Sequence, residues 1–189
     1  NTDGSVTSQV RANQTAGFSI VTYTAPSSGA WTVGHGLNTA PEFIITKSRS
    51  NAYNWGTYHV GIGNTGRLDL NSTGAITTTQ NSAWNNTSPT STVFSMGSDW
   101  AGSSITYVAY CFAPVANYSQ FSSYTANGSA DGPFVHLGFR PALIIFRNTG
   151  GPHIWGIYDS ARDTYNVADS FLRANGSDAA GTAVGVDFL

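Results

Sequence analysis

Hydrophobic and polar residues alternate in short stretches along most of this chain, and one arrangement of them occurs twice. Residues 41–47 read PEFIITK and residues 55–58 read WGTY, while residues 141–147 read PALIIFR and residues 155–158 read WGIY. The two copies lie 100 positions apart (141 − 41 = 100). A short apolar run that begins with proline and ends with a basic residue predicts a buried strand. Each copy therefore predicts two consecutive strands, paired antiparallel, with a large aromatic residue in the core beside them.

The repeat extends upstream and divides the chain into domains. Tyr and Thr at positions 23 and 24 recur at 124 and 125, and Val and Gly at 33 and 36 recur at 135 and 138. A repeat of this length predicts two copies of one architecture. We predict an all-β protein with two tandem antiparallel β-sandwich domains, jelly-roll-like, at residues 17–113 and 114–189. Residues 1–16 precede the repeat and are predicted to form an N-terminal strand arm.

The arm has the two-residue period of a strand. Val6, Ser8, Val10 and Ala12 fall on one side of an extended chain, and polar or charged residues fall on the other. This pattern predicts a strand with a weakly apolar face. The chain begins at Asn1 without methionine, as expected of a processed product or an excised portion.

The second copy lacks one strand that the first copy has. Residues 105–112, ITYVAYCF, are the most apolar run of the first copy and have no counterpart before Leu189. An unfilled sheet exposes an apolar edge that invites another strand. We expect the arm of one subunit, through Val6, Ser8, Val10 and Ala12, to fill the second domain of a neighbour, which gives a head-to-tail filament. The alternative is that residues 1–16 pair within their own first domain.

Composition narrows the function classes. Aromatic residues make up 13% of the chain and charged residues 10%, and the net charge is −2. Near-neutral charge argues against nucleic acid as a partner, and no apolar run is long enough to predict membrane insertion. The single cysteine, Cys111, excludes an intrachain disulfide and is predicted to be a buried core residue.

Side chains suited to catalysis or metal binding are sparse, so we predict that the chain is not an enzyme and binds no cofactor. The glycine-rich residues 61–66, GIGNTG, precede a strand-like pattern rather than a helix, which indicates a loop and not a dinucleotide site. Asp131 either helps loop oxygens hold Ca²⁺ or only closes a turn. Three late aspartates are either solvated loop residues or a carboxylate pair for glycoside hydrolysis. The four histidines, which lack metal-ligand spacing, are His35, His59, His136 and His153. The three late aspartates are Asp159, Asp163 and Asp169.

Glycans are candidate partners in two ways. Trp31, Trp84 and Trp100 could stack on sugars if they are exposed, or they could be core residues. The sequence also contains several Asn-x-Ser/Thr sites, which matter only if the producing cell glycosylates exported proteins. These sites are Asn13, Asn71, Asn85, Asn86, Asn117, Asn127 and Asn175.

Several longer motifs resemble a family. They are SQVRAN at 8–13, GFSIVTYT at 17–24, VGHG at 33–36, WN at 84–85, PT at 89–90, YVAYCFA at 107–113 and GSADGPFV at 128–135. Together they resemble an uncharacterised repeated β-domain of large surface and fibre-like structural proteins of aquatic bacteriophages. The resemblance implies a structural role on a virion or outside the cell, and it implies no catalytic residues.

These observations predict a structural subunit of an extracellular or virion filament. Its partner would be further copies of itself, assembled head to tail through the N-terminal strand. The alternative is a carbohydrate- or receptor-binding module of a phage tail fibre.

Overall fold

A computed structural model describes residues 1–78 and 83–189, apart from the side chains of residues 183 and 184. Short strands in antiparallel sheets dominate this part of the chain, which confirms the predicted all-β class. None of its helices has the length and apolar character needed to cross a membrane. The strands are β1 (Ser8–Asn13), β2 (Phe18–Thr24), β3 (Trp31–Gly34), β4 (Phe43–Ser48), β5 (Gly56–His59), β6 (Leu68–Asp69), β7 (Val93–Met96), β8 (Thr106–Phe112), β9 (Leu143–Arg147), β10 (Trp155–Asp159), β11 (Ala168–Arg173) and β12 (Gly181–Val186).

The first eight strands form a first unit with two layers. Six of them make one sheet in the order β1-β2-β8-β4-β5-β6, and β3 pairs with β7 in a separate ribbon. Side chains of β8 alternate between buried and half-buried, so one face of the sheet packs on the ribbon. The unit is a β-sandwich. Its layers of six and two strands differ from the two four-stranded sheets of a jelly roll.

The last four strands form a second unit with one sheet, in the order β12-β11-β10-β9. Its core is much smaller than that of the first unit. Within the described residues, four buried side chains cluster in the second unit (Tyr158, Ala168, Phe171 and Phe188), against eighteen in the first. Buried apolar area is the main driving force of folding, so the first unit carries most of the stability.

The N-terminal residues do not form a separate arm in this chain. β1 pairs antiparallel with β2 along its whole length, from Ser8 opposite Tyr23 to Asn13 opposite Phe18. The Ser8 hydroxyl donates a hydrogen bond of 2.8 Å to the Gly34 carbonyl. In the single chain this segment therefore pairs within the first unit, which is the alternative given for residues 1–16, because an apolar face next to an available strand pairs locally.

The repeat predicts strands of the second copy at residues 120–125 and 134–136, but both segments are irregular. Residues 120–125 and 134–136 contain no strand, and the side chains of Tyr124 and Phe134 are 58% and 74% exposed. Their counterparts β2 and β3 pair with β8 and β7, respectively. The described residues of the second unit hold no equivalent of either partner, and a strand without a partner leaves its backbone groups to water.

The β-branched residues at 75–79, AITTT, predict one further weak strand of the first copy. Residues 75–78 contain a single bridge, from Thr77 to Arg67, and no strand. Residue 79 lies outside the described residues.

Candidate assembly edge on the second sheet

The doubled sequence folds into the same strand pair in both units. β4 pairs with β5 and β9 pairs with β10 in matching register. The hydrogen bond after each pair is also repeated, from Val60 N to Glu42 O at 2.8 Å and from Ser160 N to Ala142 O at 3.0 Å. The matched pairs are Ile44–Tyr58 with Ile144–Tyr158, and Thr46–Gly56 with Phe146–Gly156. The first unit is therefore a template for the second.

An asparagine fixes the repeated tryptophan in each unit. Asn71 Oδ1 accepts a hydrogen bond of 2.9 Å from the backbone amide of Trp55, and Asn175 Oδ1 accepts one of 2.7 Å from that of Trp155. The sequence repeat did not show this equivalence, because the number of residues between tryptophan and asparagine differs between the copies. The available signal was an asparagine two residues after the strand that follows each WGxY motif.

The basic residue that ends each apolar run lies beside the same tryptophan. Lys47 Nζ lies 6.0 Å from the ring centre of Trp55, and the guanidinium of Arg147 lies 5.9 Å from that of Trp155. Arg147 also donates from Nη2 to the carbonyl oxygens of Thr73 and Gly74. The end of β9 is thus attached to a loop of the first unit.

The two units differ at the other side of this strand pair. β4 lies between β5 and β8, with a six-residue register against β8. β9 pairs with β10 on one side, and no described strand pairs with its other side. The position that β8 fills in the first sheet is therefore open in the second.

The open edge presents backbone groups and apolar side chains together. The Ala142 carbonyl accepts a hydrogen bond from Ser160 N and therefore points toward β10. Along an antiparallel strand the backbone groups of successive residues point to opposite sides. The amides of Leu143, Ile145 and Arg147 therefore point to the open side. Leu143 is 55% exposed and Ile145 is 45% exposed, whereas Phe43, the counterpart of Leu143, is 8% exposed. An exposed apolar edge strand is a template for pairing with another chain.

The second unit closes part of its core by itself. A Cβ placed on Gly56 would lie 2.2 Å from the Trp100 ring, so this ring covers that glycine in the first unit. On Gly156 the same atom would lie 2.3 Å from the ring of Phe146. Phe146 stands at the position of Thr46 and takes over the covering role. The open edge is thus accompanied by a compact aromatic packing on the inner face.

The predicted donor residues all face the first unit's own core side. Val6 and Val10 are half-buried and pack against the first core, Ser8 is buried, and Ala12 is exposed. Their shared face confirms the strand pattern. In the single chain they are not next to β9, because β1 forms the far edge of the other sheet.

The candidate glycosylation sites lie mainly on the surface. Asn175 is half-buried and the other six are exposed. Three of them have positive φ, a conformation that asparagine tolerates well and that explains their presence in turns. These three are Asn85 (50°), Asn86 (49°) and Asn117 (62°).

The three tryptophans considered for sugar stacking are core residues. Trp31, Trp84 and Trp100 are 4%, 2% and 2% exposed. Trp84 and Trp100 donate from Nε1 to the carbonyl oxygens of Gly66 and Ala83. Burial excludes these faces from binding a glycan, so the exposed-tryptophan interpretation is wrong.

Other candidate chemistry is accounted for by local structure. The loop with Asp131 is closed by hydrogen bonds, including one of 3.0 Å from Asn127 Nδ2 to the Asp131 carbonyl oxygen. Among the described residues no group of three or more His, Cys, Asp or Glu side chains is placed to hold a metal. Arg162 bonds the Asp159 carboxylate at 2.6 Å and lowers its pKa. Cys111 is buried, as predicted, and burial raises the pKa of its thiol to about 12.

His35 is the fully buried histidine of the first unit. Its Nδ1 accepts a hydrogen bond of 3.2 Å from Leu37 N, and its Nε2 lies 3.1 Å from the Thr90 carbonyl oxygen. These contacts fit a neutral ring with the proton on Nε2. His136, which follows the recurring Val135 in the second copy, is exposed.

The comparisons identify the family from the whole chain. A model of the DUF7483 family, a domain of unknown function, matches residues 1–189. The chain belongs to this family. No curated protein and no solved structure matches it significantly.

Proposed function

We propose that this chain is a structural subunit of an extracellular or virion filament. Copies assemble head to tail, and the N-terminal strand of one copy pairs with the open edge of β9 in the next. The observation that carries the proposal is that edge, because among the described strands β4 has one on each side and β9 has one on a single side. A head-to-tail contact that does not close on itself produces an open polymer.

The side chains of β1 suit the open position. In the first unit that position is filled by β8, whose inner face is small beyond Tyr107, with Ala109 and Cys111 fully buried. The inner face of β1 carries Ser8, Val10 and Ala12, which are also small. β1 is an edge strand, so its release breaks one ladder together with the hydrogen bonds that Val6 and Ser8 donate to Thr32 and Gly34. An inner strand such as β8 has two ladders to break.

The surface composition fits a protein surrounded by its own copies outside the cell. Charged residues are 10% of the chain, so few charges are desolvated when subunits pack together.

Proline substitution tests the edge without disturbing the strand pair. Ile145 points its amide to the open side, so Ile145→Pro removes an edge donor and leaves the bonds to β10 in place. Ile145→Thr keeps the amide and a β-branched side chain and serves as the matched control.

Electron microscopy and light scattering of the two variants decide the proposal. We expect wild type and Ile145→Thr to form long uniform filaments, and Ile145→Pro to remain monomeric with unchanged near-ultraviolet circular dichroism. Filaments of Ile145→Pro that match wild type in length and yield would show that β9 is not the assembly edge. Absence of filaments in all three proteins would refute the filament function itself.

A glycan-binding module is the second candidate, and one groove favours it. Tyr53, 43% exposed, borders a groove of about 330 Å³ together with Asn54, Arg67 and Asp99. An exposed aromatic ring beside polar side chains is suited to a sugar. A glycan array tests this function. Binding that Tyr53→Ala abolishes supports the module, and an array without any signal contradicts it.

Glycans attached to the chain are a separate proposal. The exposed sites, for example Asn127 in its hydrogen-bonded turn, are accessible to a glycosylating enzyme. Intact mass of protein from its natural source tests this, because a mass equal to that of the unmodified sequence contradicts glycosylation.

A further inference from the structure

Residues 120–125 lack a strand although their counterpart in the first unit is a long one. In that unit β2 pairs with β8 over seven residues, from Phe18 opposite Phe112 to Thr24 opposite Thr106. β8 in turn pairs with β4. The order β2-β8-β4 therefore depends on β8, which gives each of its neighbours a partner. In the second unit β9 takes the place of β4, and no described strand takes the place of β8.

The two tyrosines at equivalent positions show the consequence. Tyr23 is 5% exposed, its ring stacks on Tyr107 of β8 at 5.6 Å, and its hydroxyl lies 3.2 Å from Thr46 Oγ1 of β4. Tyr124 is 58% exposed. A tyrosine that is buried by a strand in one copy is uncovered in the copy that lacks the strand.

One end of the segment packs on the first unit, and Tyr124 contributes to the electrostatic surroundings of Tyr158 in the second unit. Burial raises the pKa of Tyr158, and Asp169 and the nearby phenol of Tyr124 raise it further. Tyr158 faces the small second core beside Phe146, with the two rings stacked at 5.8 Å. At the near end of the segment, the Phe121 ring packs on Phe43 of the first unit at 6.1 Å. Phe121 therefore anchors one end of the segment on the first unit, and Tyr124 is the exposed residue that an entering strand would cover.

We propose that the open position is a slot with two walls, which the chain completes only when a strand from a second copy enters. The entering strand pairs with β9 on one side, and residues 120–125 then pair with its other side as β2 does with β8. This inference rests on the proposed filament function and adds that assembly orders residues 120–125. The donor strand thereby has two neighbours in the slot, whereas β1 has one in its own sheet, which favours transfer of the strand to the neighbouring copy.

The alternation of the slot also restricts the entering strand. On the inner face of the first unit Ala109 is paired with Thr46. Phe146, a larger side chain, replaces that threonine in the second unit. The residue of the entering strand that pairs with Phe146 therefore has less room than Ala109 has beside Thr46. A small residue is required there, and the inner face of β1 offers Ser8 and Ala12 at its ends.

Hydrogen exchange on the full chain, as monomer and as filament, tests the two-walled slot. We expect the amides of residues 121–125 to exchange at least tenfold more slowly in the filament than in the monomer. We also expect Tyr124→Ala to raise the critical concentration for assembly at least tenfold. Tyr165, 85% exposed in the loop between β10 and β11, provides the matched control Tyr165→Ala, which is expected to assemble as wild type does.

The outcomes separate the two proposals. Filaments in which residues 121–125 exchange as fast as in the monomer, and in which Tyr124→Ala assembles normally, would overturn the slot and leave the filament function standing. Equal loss of assembly in Tyr124→Ala and Tyr165→Ala would also overturn it, because the effect would not be specific to the wall. A wild-type chain that forms no filaments would refute the proposed function instead.

Discussion

The two units have the same strand pair but differ in how completely it is enclosed. In the first unit β4 and β5 are continued by β8 on one side and covered by the Trp100 ring. In the second, β9 has an open edge, and Phe146 covers the glycine that Trp100 covers in the first. The difference shows that a strand pair and its aromatic residues form locally, whereas the rest of a sandwich requires strands from distant positions in the chain. Three comparisons between equivalent residues test this view.

The glycines under the aromatic rings give the largest expected effect. Gly56→Ala brings a Cβ to within 2.2 Å of a Trp100 ring held by a large core, so we expect a loss of about 1–3 kcal/mol in the free energy of unfolding. Gly156→Ala meets Phe146 in a small and open core that can adjust, so its loss should be smaller. Urea denaturation measures both. Gly132→Ala, where an added Cβ meets nothing within 4 Å, is the control. Equal losses for Gly56→Ala and Gly156→Ala would contradict the difference in enclosure.

The asparagines that bond the tryptophan amides should give an intermediate effect of similar size in both units. Asn71→Ala and Asn175→Ala each remove one hydrogen-bond acceptor, which corresponds to about 0.5–1.5 kcal/mol. Hydrogen exchange of the Trp55 and Trp155 amides measures each loss in its own unit. Asn71→Asp and Asn175→Asp retain an acceptor oxygen and should recover most of the protection. An effect confined to one unit would show that this part of the repeat is not equivalent.

The smallest expected effect is a pH dependence that belongs to the first unit. Burial lowers the pKa of His35, while Thr90 and Asp3 act in the opposite direction. The unfolded chain then binds a proton at His35 more readily than the folded chain does. The contribution of His35 to the free energy of unfolding is therefore complete above a pH of about 6.5 and decreases as the pH falls below it. Urea denaturation between pH 5 and 8 should show a weaker slope for His35→Gln than for wild type.

His136→Gln is the control for that measurement, because His136 is exposed and its removal should leave the slope unchanged. Part of the slope should remain in His35→Gln, since burial also lowers the pKa of His59. A slope that His35→Gln does not alter would show that His35 titrates alike in the folded and unfolded chain.

The local features of the fold could be predicted from the sequence with good accuracy. The strands β4, β5, β9 and β10 follow from the two apolar runs and their WGxY motifs, and the burial of Cys111 follows from the apolar pattern of β8. The incorrect predictions have a common cause. Residues 120–125 carry a strand pattern without a partner, and the pattern left open whether residues 1–16 pair in their own domain, where β2 is the partner. Whether Trp31, Trp84 and Trp100 were core or surface could not be decided either, because composition does not show which layer covers a ring.

By itself, the sequence determined the repeat, the all-β class and which side chains share a face of each strand. These properties depend on the two-residue period of an extended chain and on proline, glycine and aromatic positions, all of which are local. Only the tertiary structure decided which strand lies beside which, and therefore that β1 completes the first sheet while β9 has an open edge. Pairing is a contact between distant segments, and a strand is stable only where another strand satisfies its backbone hydrogen bonds.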